Sequence, residues 1–594
     1  LLSGNLEPAF TIFNRYQQRA AERMNYLITI LDTGFSSLSF TADESFNTDR
    51  DNASWPADTA ELDTIWRKRL KSNVLSLKLS EKPAKEIQTL LSKRFQTQLT
   101  KLSQTTSEDV FQVFINAYAQ LFDPHTHYFS PRVSENFDIS MSLSLEGIGA
   151  LLQTEEEHTK VVRLIPAGPA EKSKKLKPAD RIVGVGQGAA GEIVNVIGWR
   201  IDDVVKLIRG PKGTVVRLEI IPTDTADEHK TKIISIVRNT VKLEEQTAKK
   251  ELLHFNLSGH KRTIAVIDLP TFYLDFKALR SGDHNYRSST RDIQRLLNEL
   301  APQKIDGLII DLRSNSGGLL QEAIELTGLF IPRGPVVQVR NIDESVEILR
   351  DPDPGIAYSG PLALLINRLS ASASEIFAGA IQDYGRGLII GERSFGKGTV
   401  QALLNVNRGQ LKATVAKFYR VSGESTQHSG ILPDIHYPSL LNMEEVGESA
   451  LTGALPWDSI TAAVYKPFNK ISPHLTSVQQ KHKLRMASDP DYNYLLTIID
   501  FLKKERAEST VSLNETAREK ERKETEAWRL AVENKLRRAK NKVPITKLSD
   551  LDADNETAHT KSSIADDDPV LIEAGNILLD YITLTVPTVA QTKR

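Results

Sequence analysis

The chain has 594 residues, and its 75 lysines and arginines against 76 aspartates and glutamates leave a formal net charge of −1. At about 100 to 200 residues per domain this length predicts roughly three to five domains, and the balanced charge excludes a protein built to coat nucleic acid or an anionic membrane. Cysteine is absent, which excludes thiol nucleophiles, disulfides and thiolate metal sites together but does not fix the redox compartment.

Residues 1–140 read as a helical N-terminal domain, with apolar positions three and four apart through Phe10, Phe13 and Tyr16 and again through Val110, Phe111, Phe114, Ile115 and Tyr118. The opening Leu-Leu-Ser-Gly lacks an initiator Met and a basic-then-apolar leader, which points to a processed N-terminus. Near the end of this region Asp123, His125 and His127 could be drawn as metal ligands, but no further ligands cluster with them, so no metal site is expected. Residues 141–238 change texture to short β-rich runs bounded by Gly and Pro: Ile148–Leu152, Lys160–Leu164, Arg181–Val185 and Val215–Ile221.

Residues 239–442 alternate strand-like runs (Thr263–Leu269, Gly307–Leu312, Leu362–Asn367, Gly387–Ile390) with helical patterns at 316–330 and 374–384, which predicts an α/β core with chemistry at its strand ends. Helix returns over 443–594, where the highly charged stretch 503–542 reads as a solvated amphipathic helix. The whole is thus a multidomain α/β and α+β chain. No apolar run reaches the ~18 residues that span a bilayer; the stretch around Leu578–Val586 is too short.

Three segments carry chemistry. The run Pro361–Asn367 breaks into Arg368-Leu-Ser370-Ala-Ser372-Ala-Ser374-Glu375. A buried strand opening into a helix can expose a nucleophilic hydroxyl beside free N–H groups; equally, serines cap helices. Farther on, Lys397 sits between Gly396 and Gly398, and a lysine buried without a counter-ion becomes a usable base. A Ser–Lys pair needs neither histidine nor cysteine. Gln401, four residues after Lys397, shares its face in helix or strand and could orient it without adding charge.

The same stretch offers a rival, because Gly391 to Lys397 fits G-x-x-x-x-G-K and Leu308–Asp311 offers a supporting acid for magnesium. Gly398 stands where the metal-binding hydroxyl belongs, which counts against a nucleotide site. The third segment, Asp306–Leu319, ends in Gly317-Gly318, fitting either an oxyanion-binding turn or a plain tight turn.

Together, Asp311-Leu-Arg-Ser-Asn-Ser-Gly-Gly318, Ser370–Ile376, Gly391–Gln401, Phe418–Gly423 and Gln427–Asp434 resemble the C-terminal processing peptidases. The resemblance extends to Asp123-Pro-His125-Thr-His127 and Leu455–Asp458. It implies Ser372 as nucleophile, Lys397 as general base and Gln401 as the orienting amide, with Ser370 and Ser374 as bystanders. It places the oxyanion-hole amides at Gly318 and Ala373, although Ser316 stands where a third glycine is frequent.

Residues 141–238 resemble a PDZ domain, with Gly147, Ile148, Gly149 and Ala150 as the carboxylate-binding loop and a helix at Ile201–Ile208 beside it. The core, residues 239–442, is then the serine protease. The resemblance implies no cofactor and no ATP, protein substrates with exposed apolar C-termini, an adaptor protein that presents them and a bacterial periplasmic setting, with no nucleic acid and no integral membrane segment. The alternative is a catalytically inactive PDZ peptide-binding scaffold. Glu375 is read as satisfying first-turn amides, and Trp457 as loop packing.

Overall fold

The structure is a computed structural model describing residues 4–34, 38–224, 230–257, 259–551 and 568–585. The first three residues, on which the processed-terminus expectation falls, and Val586 lie outside them. The central sheet has six strands in the order Lys249–Leu257, His260–Asp268, Gly307–Asp311, Leu362–Ile366, Leu388–Gly391 and Ile435–His436. The first pair is antiparallel and every later pair parallel.

The two middle strands are buried at every residue, which is why they are continuous apolar runs rather than alternating ones. Leu308 and Ile310 face one layer, formed by the helices Ser289–Leu300, Leu320–Gly328 and Ala373–Asp383, while Ile309 faces the other. That second layer includes the C-terminal helix Pro569–Thr585, whose Leu571, Ile577, Leu578 and Ile582 cover the sheet. Burying one such side chain stabilises the fold by about 1.5–3 kcal/mol.

A second sheet runs Val346–Asp351, Gly334–Asn341, Gln410–Tyr419, Thr399–Asn405. The N-terminal region joins it directly, because His127–Phe129 pairs with Gln410–Lys412. Strands between residues 150 and 237 form a separate six-stranded antiparallel sheet around Val161, Ile182, Val216 and Leu218, closed by the helix Ile201–Ile208. The first three long helices pack around Leu27, Leu70 and Leu91. Among the described residues no helix is long and apolar enough to cross a membrane.

Two predicted elements differ in the structure. The charged stretch 503–542 is not one helix: it stops at Ala507, forms the strand Thr510–Ser512, and resumes at Glu515, where the Asn514 side chain accepts the Ala517 N–H. The strand exists because Ser45–Asn47 pairs with it. The helix expected over 316–330 starts only at Leu320, since Gly317 and Gly318 take φ values of 103° and 145° that no helix permits.

Candidate active site

Ser372 occupies the N-cap of the helix Ala373–Asp383, with φ 56° and ψ −112°. A non-glycine residue persists there only where its surroundings hold it, and its neighbours do. Ser370 Oγ donates to the Leu312 carbonyl at 2.8 Å and Ser374 Oγ to the Asn315 carbonyl at 2.9 Å. These two serines stitch the turn to the strand-end loop after Asp311, leaving Ser372 as the serine of the three that lines the adjoining cavity.

The opposing Gly317-Gly318 turn needs both glycines. A Cβ on Gly317 would lie 2.9 Å from Ser372 Cβ, and one on Gly318 would collide with the Phe272 carbonyl oxygen. The Gly317 N–H is spent on Asn315 Oδ1 at 2.9 Å. Among the described residues nothing accepts the N–H of Gly318 or of Ala373, so two free donors flank Ser372 on the cavity wall.

Lys397 precedes the strand Thr399–Asn405, and its Nζ donates to Gln401 Oε1 at 2.5 Å. The amide is fixed from its other end, where Nε2 donates to Thr399 Oγ1 at 2.9 Å and Thr414 Oγ1 at 3.1 Å. Burial pulls the lysine down from its ordinary value of 10.5 to about 8; nearby Lys412 adds to the drop, and Glu448, Glu375 and Asp123 oppose it. A neutral amine is therefore accessible near neutral pH.

Glu375 does more than cap its own helix. Its Oε2 accepts the N–H of Ser372 at 2.7 Å and of Lys397 at 3.0 Å, and its Oε1 accepts the Gly396 N–H at 2.7 Å and Ser394 Oγ at 2.6 Å. One carboxylate thus ties the serine turn to the lysine loop. Its total burial raises its pKa to about 7 against the pull of those four donors. Sequence reasoning limited it to first-turn amides because Ser394 to Lys397 are close to it only in space.

Ser372, Ala373, Gly318, Lys397 and Gln401 all line one cavity of about 1630 Å³, whose wall also carries Lys412. A second cavity, about 950 Å³, is lined by Ile148, Gly149 and Ala150 and by Ile201, Val205 and Ile208 of the facing helix. Gly147 does not line this groove; it ends its strand, where an added Cβ would lie 3.2 Å from Leu145 and 3.7 Å from Arg209. Geometry also counts against the rival phosphate loop: Lys397 leads into a strand, not a helix, and Asp311 is clasped by Arg313. Of the residues drawn as possible metal ligands, Asp123 accepts from Thr126 and Thr414, His125 pairs with Glu448, and His127 with Gln120. Trp457 donates its indole N–H to the Ser425 carbonyl, as loop packing.

Residues 1–132 match the N-terminal domain of tail specific protease, 137–221 the PDZ domain, 263–437 peptidase family S41, and 441–583 the C-terminal domain of tail specific protease. The Tail-specific protease of Haemophilus influenzae is 39% identical over 98% of this chain and 81% of its own length. The Carboxy-terminal processing protease CtpA of Bacillus subtilis is 32% identical over 53% of this chain and 61% of its own. The solved PDZ domain of a Carboxy-Terminal Protease from Vibrio cholerae is 48% identical, covering 17% of this chain and all of its own, with a TM-score of 0.16. With all four regions matched in order and a relative aligned along nearly its whole length, the chain belongs to the tail-specific proteases of peptidase family S41, PDZ-bearing serine endopeptidases of the C-terminal processing type.

Proposed function

We propose that this protease cuts proteins ending in an exposed apolar C-terminal tail, using Ser372 as nucleophile and Lys397 as general base. Neutral Lys397 takes the Ser372 hydroxyl proton and the alkoxide attacks a peptide carbonyl. The Gly318 and Ala373 N–H groups stabilise the oxyanion. The lysine ammonium then protonates the leaving amine, and water, deprotonated by the regenerated neutral Lys397, hydrolyses the acyl-enzyme. Gln401 holds Lys397 in place without contributing charge. No cofactor or nucleotide takes part.

The observation that carries this reading is a half-buried lysine, lowered to about 8 by desolvation and bonded to a neutral amide, lining the same cavity as Ser372. Tail recognition falls to the second cavity. There the amides of Ile148, Gly149 and Ala150 receive the terminal carboxylate, with Gly147 shaping the loop, and Ile201, Val205 and Ile208 receive an apolar side chain. The domains divide near residues 140, 238 and 442. The enzyme works in the bacterial periplasm on substrates presented in part by an adaptor protein.

The test is cleavage of a folded reporter bearing an apolar tail, without nucleotide, alongside labelling of Ser372 by a fluorophosphonate. Ser372→Ala and Lys397→Ala each abolish both. Full cleavage by either variant would refute the dyad, and peptide binding with no labelling of the wild type would establish an inactive scaffold instead.

A further inference from the structure

The turn Asp123-Pro-His125-Thr126 belongs to the N-terminal region, yet two chains of hydrogen bonds lead from it to either side of Lys397. One runs from Asp123 Oδ1, which accepts Thr414 Oγ1 at 2.8 Å, to Thr414 Oγ1, which accepts Gln401 Nε2 at 3.1 Å. The other runs from His125 Nε2 to Glu448 at 2.8 Å, from Glu448 Oε1 to Gln427 Nε2 at 2.8 Å, and from Gln427 Oε1 to the Gly398 N–H at 2.8 Å. Asp123, Glu448 and Gln427 are all buried.

The first chain has a direction. A side-chain amide is nearly symmetric in shape, so what points its oxygen rather than its NH₂ at the lysine is the set of acceptors on its far side. A threonine hydroxyl has one hydrogen. Asp123, an acceptor on both oxygens and also bonded by the His125 N–H and by Thr126 Oγ1, takes that hydrogen from Thr414 and leaves Thr414 only a lone pair for Gln401. Without the carboxylate, Thr414 is free to donate to Gln401 instead, and a flipped amide would meet the lysine with N–H groups. We infer that Asp123 is a positioning residue for the reaction, acting through Thr414 to fix the orientation of the Gln401 amide and thereby the place of Lys397.

This inference rests on the Ser372–Lys397 reading. The experiment is a double-mutant cycle on the full chain, read by the rate of fluorophosphonate labelling and by kcat and KM on a tailed peptide. Thr414→Val and Asp123→Ala each lower kcat and the labelling rate about tenfold with KM unchanged. Thr414→Ser, which preserves the hydroxyl, stays within about twofold of wild type. In a Gln401→Ala background neither Thr414→Val nor Asp123→Ala has a further effect, because the amide they orient is gone. Wild-type rates in both Thr414→Val and Asp123→Ala, or an undiminished loss in the Gln401→Ala background, would overturn the relay. If those results came with a dead Lys397→Ala enzyme, only the relay fails; an active Lys397→Ala enzyme sinks the dyad itself.

Discussion

The lowered pKa of Lys397 converts directly into a rate profile. With a value of about 8, about one lysine in ten is neutral at pH 7 and about nine in ten at pH 9. Acylation of Ser372 should therefore rise about tenfold over those two units and level off by pH 9.5. A lysine left at its ordinary 10.5 would instead give about a hundredfold rise between pH 7 and 9 and still be climbing. Below pH 7 the fall steepens, because Glu375, at about 7, protonates and loosens its hold on the Ser372 and Lys397 amides. The assay is the second-order rate of fluorophosphonate labelling, corrected for reagent hydrolysis and confirmed by intact mass, which bypasses tail binding altogether. A rate flat between pH 7 and 9.5, or one still rising tenfold per unit at pH 9.5, would refute the argument from burial.

The same burial has a cost in stability. Since the folded pKa lies below the unfolded one, the charged lysine destabilises the fold below pH 8 by about 3 kcal/mol, and this penalty fades as pH rises to 10.5. In a Ser372→Ala background, Lys397→Met should be more stable at pH 7 by about 2 kcal/mol, allowing about 1 kcal/mol for the orphaned Gln401 oxygen; urea unfolding should show the advantage vanish at about pH 10 and reverse above it. Glu375→Gln places an NH₂ against two of four donors and should cost about 2–4 kcal/mol in unfolding free energy, with labelling lost in parallel. Gly318→Ala, barred by its backbone angle and by the Phe272 carbonyl, should slow labelling about a hundredfold. Val205→Asp, in the second cavity, should raise KM for an apolar tail about tenfold in steady-state cleavage while leaving the labelling rate of Ser372 unchanged.

What could be read from the sequence was local. Ile201–Ile208 occurs with the bounds that the PDZ resemblance implies. Val215–Ile221 occurs with the bounds its β-rich run predicts, because such a pattern is decided within a few residues. The Lys397–Gln401 contact was legible for the same reason: four positions return to one face. The three serines of 370–374 were not distinguishable by type. Their difference lies in the carbonyls of Leu312 and Asn315, about sixty residues upstream, which occupy two of them. The further contacts of Glu375 with the Lys397 N–H and of Asp123 with Thr414 were not legible, because the sheets alone bring those partners near. The break in the charged stretch after Ala507 is likewise dictated by a strand at the opposite end of the chain.

That strand pairing, Ser45–Asn47 with Thr510–Ser512, is extended by a bond from Thr48 Oγ1 to the Ser509 carbonyl across 461 positions. Closing so long a loop costs little more entropy than closing one half its length, so the pairing is thermodynamically cheap. Kinetically it is the opposite, since contacts of such separation form late. On a ribosome, the amino-terminal helices must wait unfinished until residues 510–512 have arrived. Glu448, which completes the bond chain from His125 to the lysine loop, is also a latecomer. The lysine loop therefore gains its assembled surroundings only after residue 448 has been made.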